Sequence, residues 1–335
     1  MNDTSNPIAC TVDLTAQGRN CGFLTVPHSV HRSAYGHIPV PIASFVGRNE
    51  GPSVLLMAGN HGDEYEGQVI LSTLIRELDP ARVNGRLTLL PMANFPAAEA
   101  GTRTSPADGG NLNRTFPGKP RGTPTEMLAH FIEHRLIAGT DLVIDLHSGG
   151  SSLYCVPFGM TSWVEGNARN DLRRRVMAAL GLQVALYHAP DGDGWYSSSA
   201  AWRAGAAGFT LELGGGGTVD PDIRKAAQNG VLRALRAVGS YDDEMAAGPI
   251  PPHPPELRDE SLLSAQEPGL YEPLAHAGDT VKSGQLVARI HFPETPDKPP
   301  LDVILPRGGY ILAHRVPARV VRGDGLFHIG HAEMV

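Results

Sequence analysis

From residue 53 to residue 238 the chain alternates short apolar runs with longer amphipathic stretches, and no other feature limits the folds open to it as strongly. SVLLMAG (53–59), RLTLLPMA (86–93), DLVIDLH (141–147) and GFTLELG (208–214) read as buried strands. YEGQVILSTLIRELD (65–79), PTEMLAHFIEHRLI (124–137) and DIRKAAQNGVLRALRAV (222–238) carry apolar residues at helical spacing. Such alternation predicts an α/β chain with a doubly wound sheet covered by helices. Thr123, Pro124 and Glu126 supply a capping-box start with proline at the first helical position, so a helix is expected to begin there.

After the last amphipathic stretch the pattern changes. GPIPPHPPEL (248–257) is proline-rich and aperiodic, as a stiff linker would be. Beyond it, short β-like runs are separated by Gly, Asp and Pro turns, which predicts a small all-β unit. The expected division is a catalytic α/β domain over 1–247, a linker over 248–257 and the small all-β domain over 258–335. A chain of 335 residues with 41% hydrophobic content is long enough for one large core and one such appendage.

Charge and composition exclude several classes of partner. Lys+Arg 28 against Asp+Glu 35 leaves a net charge of −7, and no basic block forms a nucleic-acid footprint. The N-terminal MNDTSNPIAC is polar, and nothing approaches the roughly 18 apolar residues of a membrane span, so a cytoplasmic protein is expected. Cys10, Cys21 and Cys155 are scattered and odd in number, as suits reduced thiols rather than a disulfide framework.

The candidate chemistry sits where strands end. In an open α/β sheet, ligands bind beyond the carboxyl ends of the strands, where loops feed helix N-termini. AGNHGDEYEG (58–67) occupies such an edge, with His61 and Glu64 three apart across the bend. A divalent metal is the simplest common partner, although Glu64 reads equally as a first-turn helix carboxylate and His61 as a loop residue. DLVIDLHSGG (141–150) adds a second strand-end histidine, His147. Two histidines and a glutamate form an open zinc set, because three protein ligands leave a fourth position for water. Asp145 alternates with His147 and is either an outer-shell partner of its ring or a polar residue within the strand.

GFTLELGGGGT (208–218) places Glu212 near another strand end. Partly desolvated there, its pKa would rise into the range of a general base; on an edge strand it would simply face solvent. In GTRTSPADGGNLNRTFPG (101–118), Asn113 and Arg114 could clamp a substrate carboxylate, and Arg103 could face an oxygen that becomes anionic when water attacks a carbonyl. The common alternative for each arginine is a surface loop.

Together, HGDE (61–64), NLNR (111–114), DLHSGG (145–150) and ELGGGG (212–217) resemble the succinylglutamate desuccinylase and aspartoacylase family, over about residues 50 to 240. The resemblance implies a zinc-carboxypeptidase-like, doubly wound mixed sheet with a small C-terminal all-β, barrel-sandwich-like domain. It implies one Zn2+ per chain on His61, Glu64 and His147, with Glu212 as general base. Asn113 and Arg114 would hold the substrate carboxylate, and Arg103 would polarise the carbonyl. Within the family, GNHGDEYEG, NFPAAEAGTRTSPADGGNLNRTFPG and TLELGGGGT look most like the branch that deacetylates N-alpha-acetyl-L-2,4-diaminobutyrate in ectoine breakdown. If the substrate carries a cationic amine, Asp191 or Asp193 could pair with it; otherwise DGDG (191–194) is a turn.

AGDTVKSGQLVARI and PRGGYILAHRV resemble a biotinyl or lipoyl domain, but Lys282 is not in the setting those domains modify, and no covalent cofactor is expected. The β unit is expected to shape the mouth of the site or a homo-oligomer contact. The implied partner is a small N-acyl amino acid, with no nucleic acid and no membrane. Competing readings are another N-acyl amino acid deacylase, a zinc carboxypeptidase, and a non-catalytic binding protein on the same scaffold.

Overall fold

The computed structural model describes residues 5–30, 33–242, 252 and 254–332. Strands β1 (Ala9–Cys10), β2 (Gly18–Pro27) and β3 (His37–Val46) form an antiparallel N-terminal ribbon. The alternation then begins: β4 (Asn49–Ala58), α1 (Tyr65–Glu77), β5 (Asn84–Leu90), α2 (Phe95–Ala100), α3 (Pro124–Phe131) and β6 (Leu142–His147). It continues through β7 (Leu153–Ser162), α4 (Asn170–Leu180), β8 (Val184–His188), α5 (Ser197–Arg203), β9 (Ala207–Gly215) and α6 (Pro221–Ala237).

Strands β5, β4, β6 and β9 are neighbours in parallel, and β3 and β7 flank them antiparallel, so the sheet is mixed. Apolar runs are continuous in its centre because both faces are covered. Along β4, Val54 and Leu56 enter the core beneath α1, α4 and α6, whereas Leu55 and Met57 enter the core on the other face. Alpha-helix α1 lies unusually close to the strands, since a Cβ on Gly67 would meet Leu146 Cβ at 2.7 Å and Ala58 Cβ at 2.9 Å. That close approach holds the start of α1, and the loop before it, against the ends of β4 and β6.

The capping box at α3 is present: Thr123 Oγ1 accepts from the Glu126 amide, and the Glu126 carboxylate accepts from the Thr123 amide. The helical periodicity of 124–137 nevertheless covers two geometries. Residues Ile132–Ile137 are π-helical, and the Ala138 amide donates to the Glu133 carbonyl.

Half of the proline-rich linker expected at 248–257, residues 248–251 and 253, lies outside the described residues. Its last two residues form β10 (Glu256–Leu257), which pairs in parallel with β8. The C-terminal strands are β11 (Asp259–Ser264), β12 (Gly269–Pro273), β13 (Thr280–Val281), β14 (Leu286–His291), β15 (Leu301–Ile304), β16 (Gly309–Arg315), β17 (Arg319–Val320) and β18 (Gly325–His331). Strand β16 pairs with β7, so β16, β18 and β11 extend the large sheet; β15, β14, β12 and β17 form a separate antiparallel sheet. Tyr271, Val287, Ile290, Ile311 and Phe327 fill the core of this region. Among the described residues no helix is long and apolar enough to cross a membrane.

Candidate active site

Parallel strands β4, β6 and β9 end at one edge of the sheet, and each delivers a group there. Gly59, at φ 69°, turns the chain out of β4 into the loop that carries His61. Glu64 takes extended backbone just before α1, and its side chain makes no capping bond. Its carboxylate instead lies 2.6 Å through Oε1 from His61 Nδ1 and 2.7 Å through Oε2 from His147 Nδ1. His147 ends β6, directly opposite Glu212 on β9.

The outer nitrogens of both rings are also engaged. His147 Nε2 donates to Asp145 Oδ2 at 2.9 Å, and the same oxygen accepts from Asn60 Nδ2 at 2.6 Å and Ser197 Oγ at 2.5 Å. His61 Nε2 donates to Asn111 Oδ1 at 3.1 Å. With Nε2 protonated outward, each ring turns Nδ1 toward Glu64. One ligand atom from each of His61, Glu64 and His147 lies within 4.8 Å of the others. All three residues are buried, each 3% exposed. Two imidazole nitrogens and one carboxylate match a three-residue zinc site with an open position, so the residues fit the ion.

Electrostatics shows what holds this cluster together without a metal. Burial pushes the Glu64 carboxyl up, but the His147 and His61 rings more than offset it and hold it well below the usual range. Burial lowers His147, but the charges of Asp145 and Glu64 outweigh that and raise it well above an ordinary histidine. A metal arriving at Nδ1 of His147 competes with the proton that these carboxylates favour on the ring. Zinc uptake is expected to release protons and to weaken as pH falls, because His147 and the neighbouring Glu212 are both pushed up without the cation. Calorimetric titration in buffers of different ionisation enthalpy measures this directly, and zinc binding without proton release would contradict it.

Glu212 lines a cavity of about 460 Å³ together with His61, Glu64 and His147. Burial, reinforced by the charge of Glu64, pushes its carboxyl up to about 8, while His147 and Arg103 pull the other way. Cys155 Sγ stands 4.0 Å from Glu212 Oε2, and burial raises that thiol well above its ordinary value. Across the end of β9 the run Gly214–Gly217 keeps φ positive throughout, and a side chain at Gly215 would meet Gly149 Cα at 2.7 Å. Only glycine permits this turn.

Arg103 is half-exposed, with Nη1 3.5 Å from Glu64 Oε1. Asn113 Oδ1 accepts from the Ser197 amide at 2.9 Å, leaving Nδ2 3.4 Å from His147 Nε2. The Arg114 guanidinium lies 4.6 Å from the Tyr196 ring centroid, a cation–π arrangement. The 187–200 segment thus props the 111–114 segment from behind. Arg203 in turn holds that segment, donating to the carbonyls of Gly192 and Gly194 at 2.8 Å and pairing in a fork with Glu133. Asp191 lines the cavity; Asp193 is exposed and is not among the residues lining it.

Several participants were not singled out in the sequence. Asn60 and Asn111 stand inside quoted motifs, but which ring nitrogen an amide meets is a tertiary matter. Ser197 lies 52 residues from Asp145, and Glu260 and His328 come from the C-terminal strands to line the same cavity. No local pattern links them to it.

The chain is similar to known proteins in sequence and in fold. Residues 50–238 match the succinylglutamate desuccinylase/aspartoacylase catalytic domain. The chain is 37% identical over 321 residues to the N-alpha-acetyl-L-2,4-diaminobutyric acid deacetylase of Halomonas elongata, covering 95% of this chain and 93% of that one. A product-bound structure of the ectoine utilization protein EutE (DoeB) from Ruegeria pomeroyi superposes with a TM-score of 0.91 at 33% identity, covering 97% of this chain and 99% of the other. The succinylglutamate desuccinylase/aspartoacylase structure from Rhodobacter sphaeroides gives a TM-score of 0.90 at 32% identity, covering 98% and 99%.

Proposed function

The chain belongs to the succinylglutamate desuccinylase/aspartoacylase family, and from that premise we propose that it is a zinc-dependent deacetylase converting N-alpha-acetyl-L-2,4-diaminobutyrate to L-2,4-diaminobutyrate and acetate. The observation that carries the chemistry is the convergence of His61 Nδ1, Glu64 and His147 Nδ1 beside Glu212 in one cavity. The substrate assignment is supported by the 37% identity, over nearly the full length of both chains, to a protein named for that reaction.

A zinc ion on His61, Glu64 and His147 would supply Lewis acidity, polarising the amide carbonyl and lowering the pKa of water to about 7. Asp145 and Asn111 keep the two rings in the tautomer that turns Nδ1 inward. Glu212 accepts the proton of the attacking water and hands it to the leaving amine. Arg103, reaching over Glu64, offsets the negative charge that develops on the carbonyl oxygen. Asn113 and Arg114 hold the substrate carboxylate, their positions set by Ser197 and Tyr196. Glu260, Leu262, Ala313 and His328 wall the cavity from the C-terminal side, which suits a small substrate better than a peptide.

The test is acetate or succinate release from N-alpha-acetyl-L-2,4-diaminobutyrate, its N-gamma-acetyl isomer, N-acetylaspartate and N-succinylglutamate, with zinc and with a chelator. Chelator-sensitive turnover of the alpha-acetyl compound supports the assignment. Preference for another compound moves the substrate, and no turnover of any of them removes the deacylase reading.

A further inference from the structure

The wall contributed by the C-terminal strands has its own charge. On β11, Glu260 and Leu262 are two residues apart and share a face; across the ladder Leu262 stands opposite His328 of β18. All three line the cavity. His328 Nε2 lies 2.6 Å from Glu260 Oε2, and its ring meets Phe158 edge-on with centroids 5.8 Å apart. Phe158 is the residue opposite Glu212 in the β7–β9 ladder. Glu212, Phe158, His328 and Glu260 therefore form a connected run along one side of the cavity.

The hydrogen bond from His328 holds the Glu260 carboxyl below its usual range; burial opposes this and the nearby His188 adds to it. Glu260 is accordingly ionised at neutral pH. Its side chain keeps 47% exposure, and among the described residues only Oε2 is engaged. His188, also on the cavity, donates from Nδ1 to the Ala189 carbonyl at 2.8 Å. Asp191 is less available: its carboxylate lies against its own turn at Gly194, and both Asp191 and Asp193 act on the Arg203 guanidinium. The guanidinium groups of the cavity belong elsewhere, Arg103 over Glu64 and Arg114 against Tyr196. The cavity thus carries cations beside the ligand cluster and acceptors on the C-terminal wall.

We propose that Glu260 receives a cationic group on the substrate side chain, so that the C-terminal strands select N-acyl amino acids bearing an ammonium over those bearing a second carboxylate. This inference rests on the deacylase reading and assigns the residue that sets its selectivity. An ion-paired hydrogen bond of this kind is worth about 10- to 100-fold in selectivity.

The experiment compares kcat/KM for N-alpha-acetyl-L-2,4-diaminobutyrate, N-acetyl-L-2-aminobutyrate (the same carbon chain without the ammonium) and N-acetyl-L-aspartate, in wild type, Glu260→Gln and Glu260→Asp. Wild type is expected to prefer the cationic substrate; Glu260→Gln loses most of that preference through KM, and Glu260→Asp keeps part of it. The ratio between substrates is insensitive to a partly inactive preparation. Calorimetric binding of L-2,4-diaminobutyrate and L-2-aminobutyrate to the same proteins reads the preference without turnover. A ratio unchanged in Glu260→Gln, or wild type indifferent to the ammonium, overturns the assignment of Glu260 while leaving the deacylase intact. If wild type cleaves none of the three, the diaminobutyrate deacetylase reading falls and the assignment of Glu260 falls with it.

Discussion

Glu212→Gln is expected to lower kcat by about 10²- to 10⁴-fold, with zinc content and KM close to wild type. Glutamine preserves the shape of the side chain and leaves the β9 ladder undisturbed, but its amide cannot take a proton from water. The surroundings of Glu212 suit the proposed proton transfer. Glu212 stands opposite His147 in register, inside the same cavity as the ligand cluster, and desolvation pushes its carboxyl up to about 8 in the metal-free protein. As the proposed base Glu212 works as the carboxylate, so the rate is expected to fall as pH drops through its pKa. A divalent cation beside it favours ionisation and moves that limb below pH 8. Steady-state kinetics across pH is the check: the acid limb belonging to Glu212 disappears in the variant. A variant that keeps wild-type kcat would remove Glu212 from the reaction.

Glu64→Ala is expected to have the larger effect, loss of stoichiometric zinc together with at least about 10³-fold in turnover, since Lewis-acid stabilisation is worth several kcal/mol. Glu64 is the hub of the cluster: each of its oxygens faces a different histidine, and Oε2 also accepts from the Ser148 amide at 3.2 Å. Without it, His61 and His147 keep their outer partners but lose the carboxylate that draws both Nδ1 atoms together. Asp145→Asn is a useful contrast. It leaves all three candidate ligands in place but weakens the acceptor shared by His147, Asn60 and Ser197, which is expected to cost about 10- to 100-fold in metal affinity. Metal analysis of the purified variants, followed by zinc titration, separates the two. Full zinc occupancy in Glu64→Ala would rule out this ligand set.

The parts of the molecule that could be read without coordinates are those governed by local rules. Apolar runs such as SVLLMAG and DLVIDLH must be buried on both faces, and parallel strands are the structures that bury them so. Helix α3 starts at Pro124 because Thr123 and Glu126 satisfy the free amides of its first turn. His61, His147 and Glu212 were marked by their positions at strand ends, where any parallel sheet gathers its loops. The π-helical segment at 132–137 was not legible, because its apolar spacing is shared with an α-helix over so short a span. Nor was the joining of β16 to β7, a pairing between residues more than 150 positions apart.

Chemistry shows the same division. Local sequence rules decide which groups stand at the carboxyl edge of the sheet, since periodicity, caps and glycine turns act over a few residues. Only the tertiary structure decided how those groups face one another. It turned Nδ1 of both rings toward Glu64, set Asp145 and Asn111 behind them, and braced Asn113 with Ser197. It also brought Glu260 and His328 to the wall of the cavity. These relations depend on hydrogen bonds and packing between segments far apart in the chain, whose register is set by burial of the whole sheet rather than by any neighbouring residue.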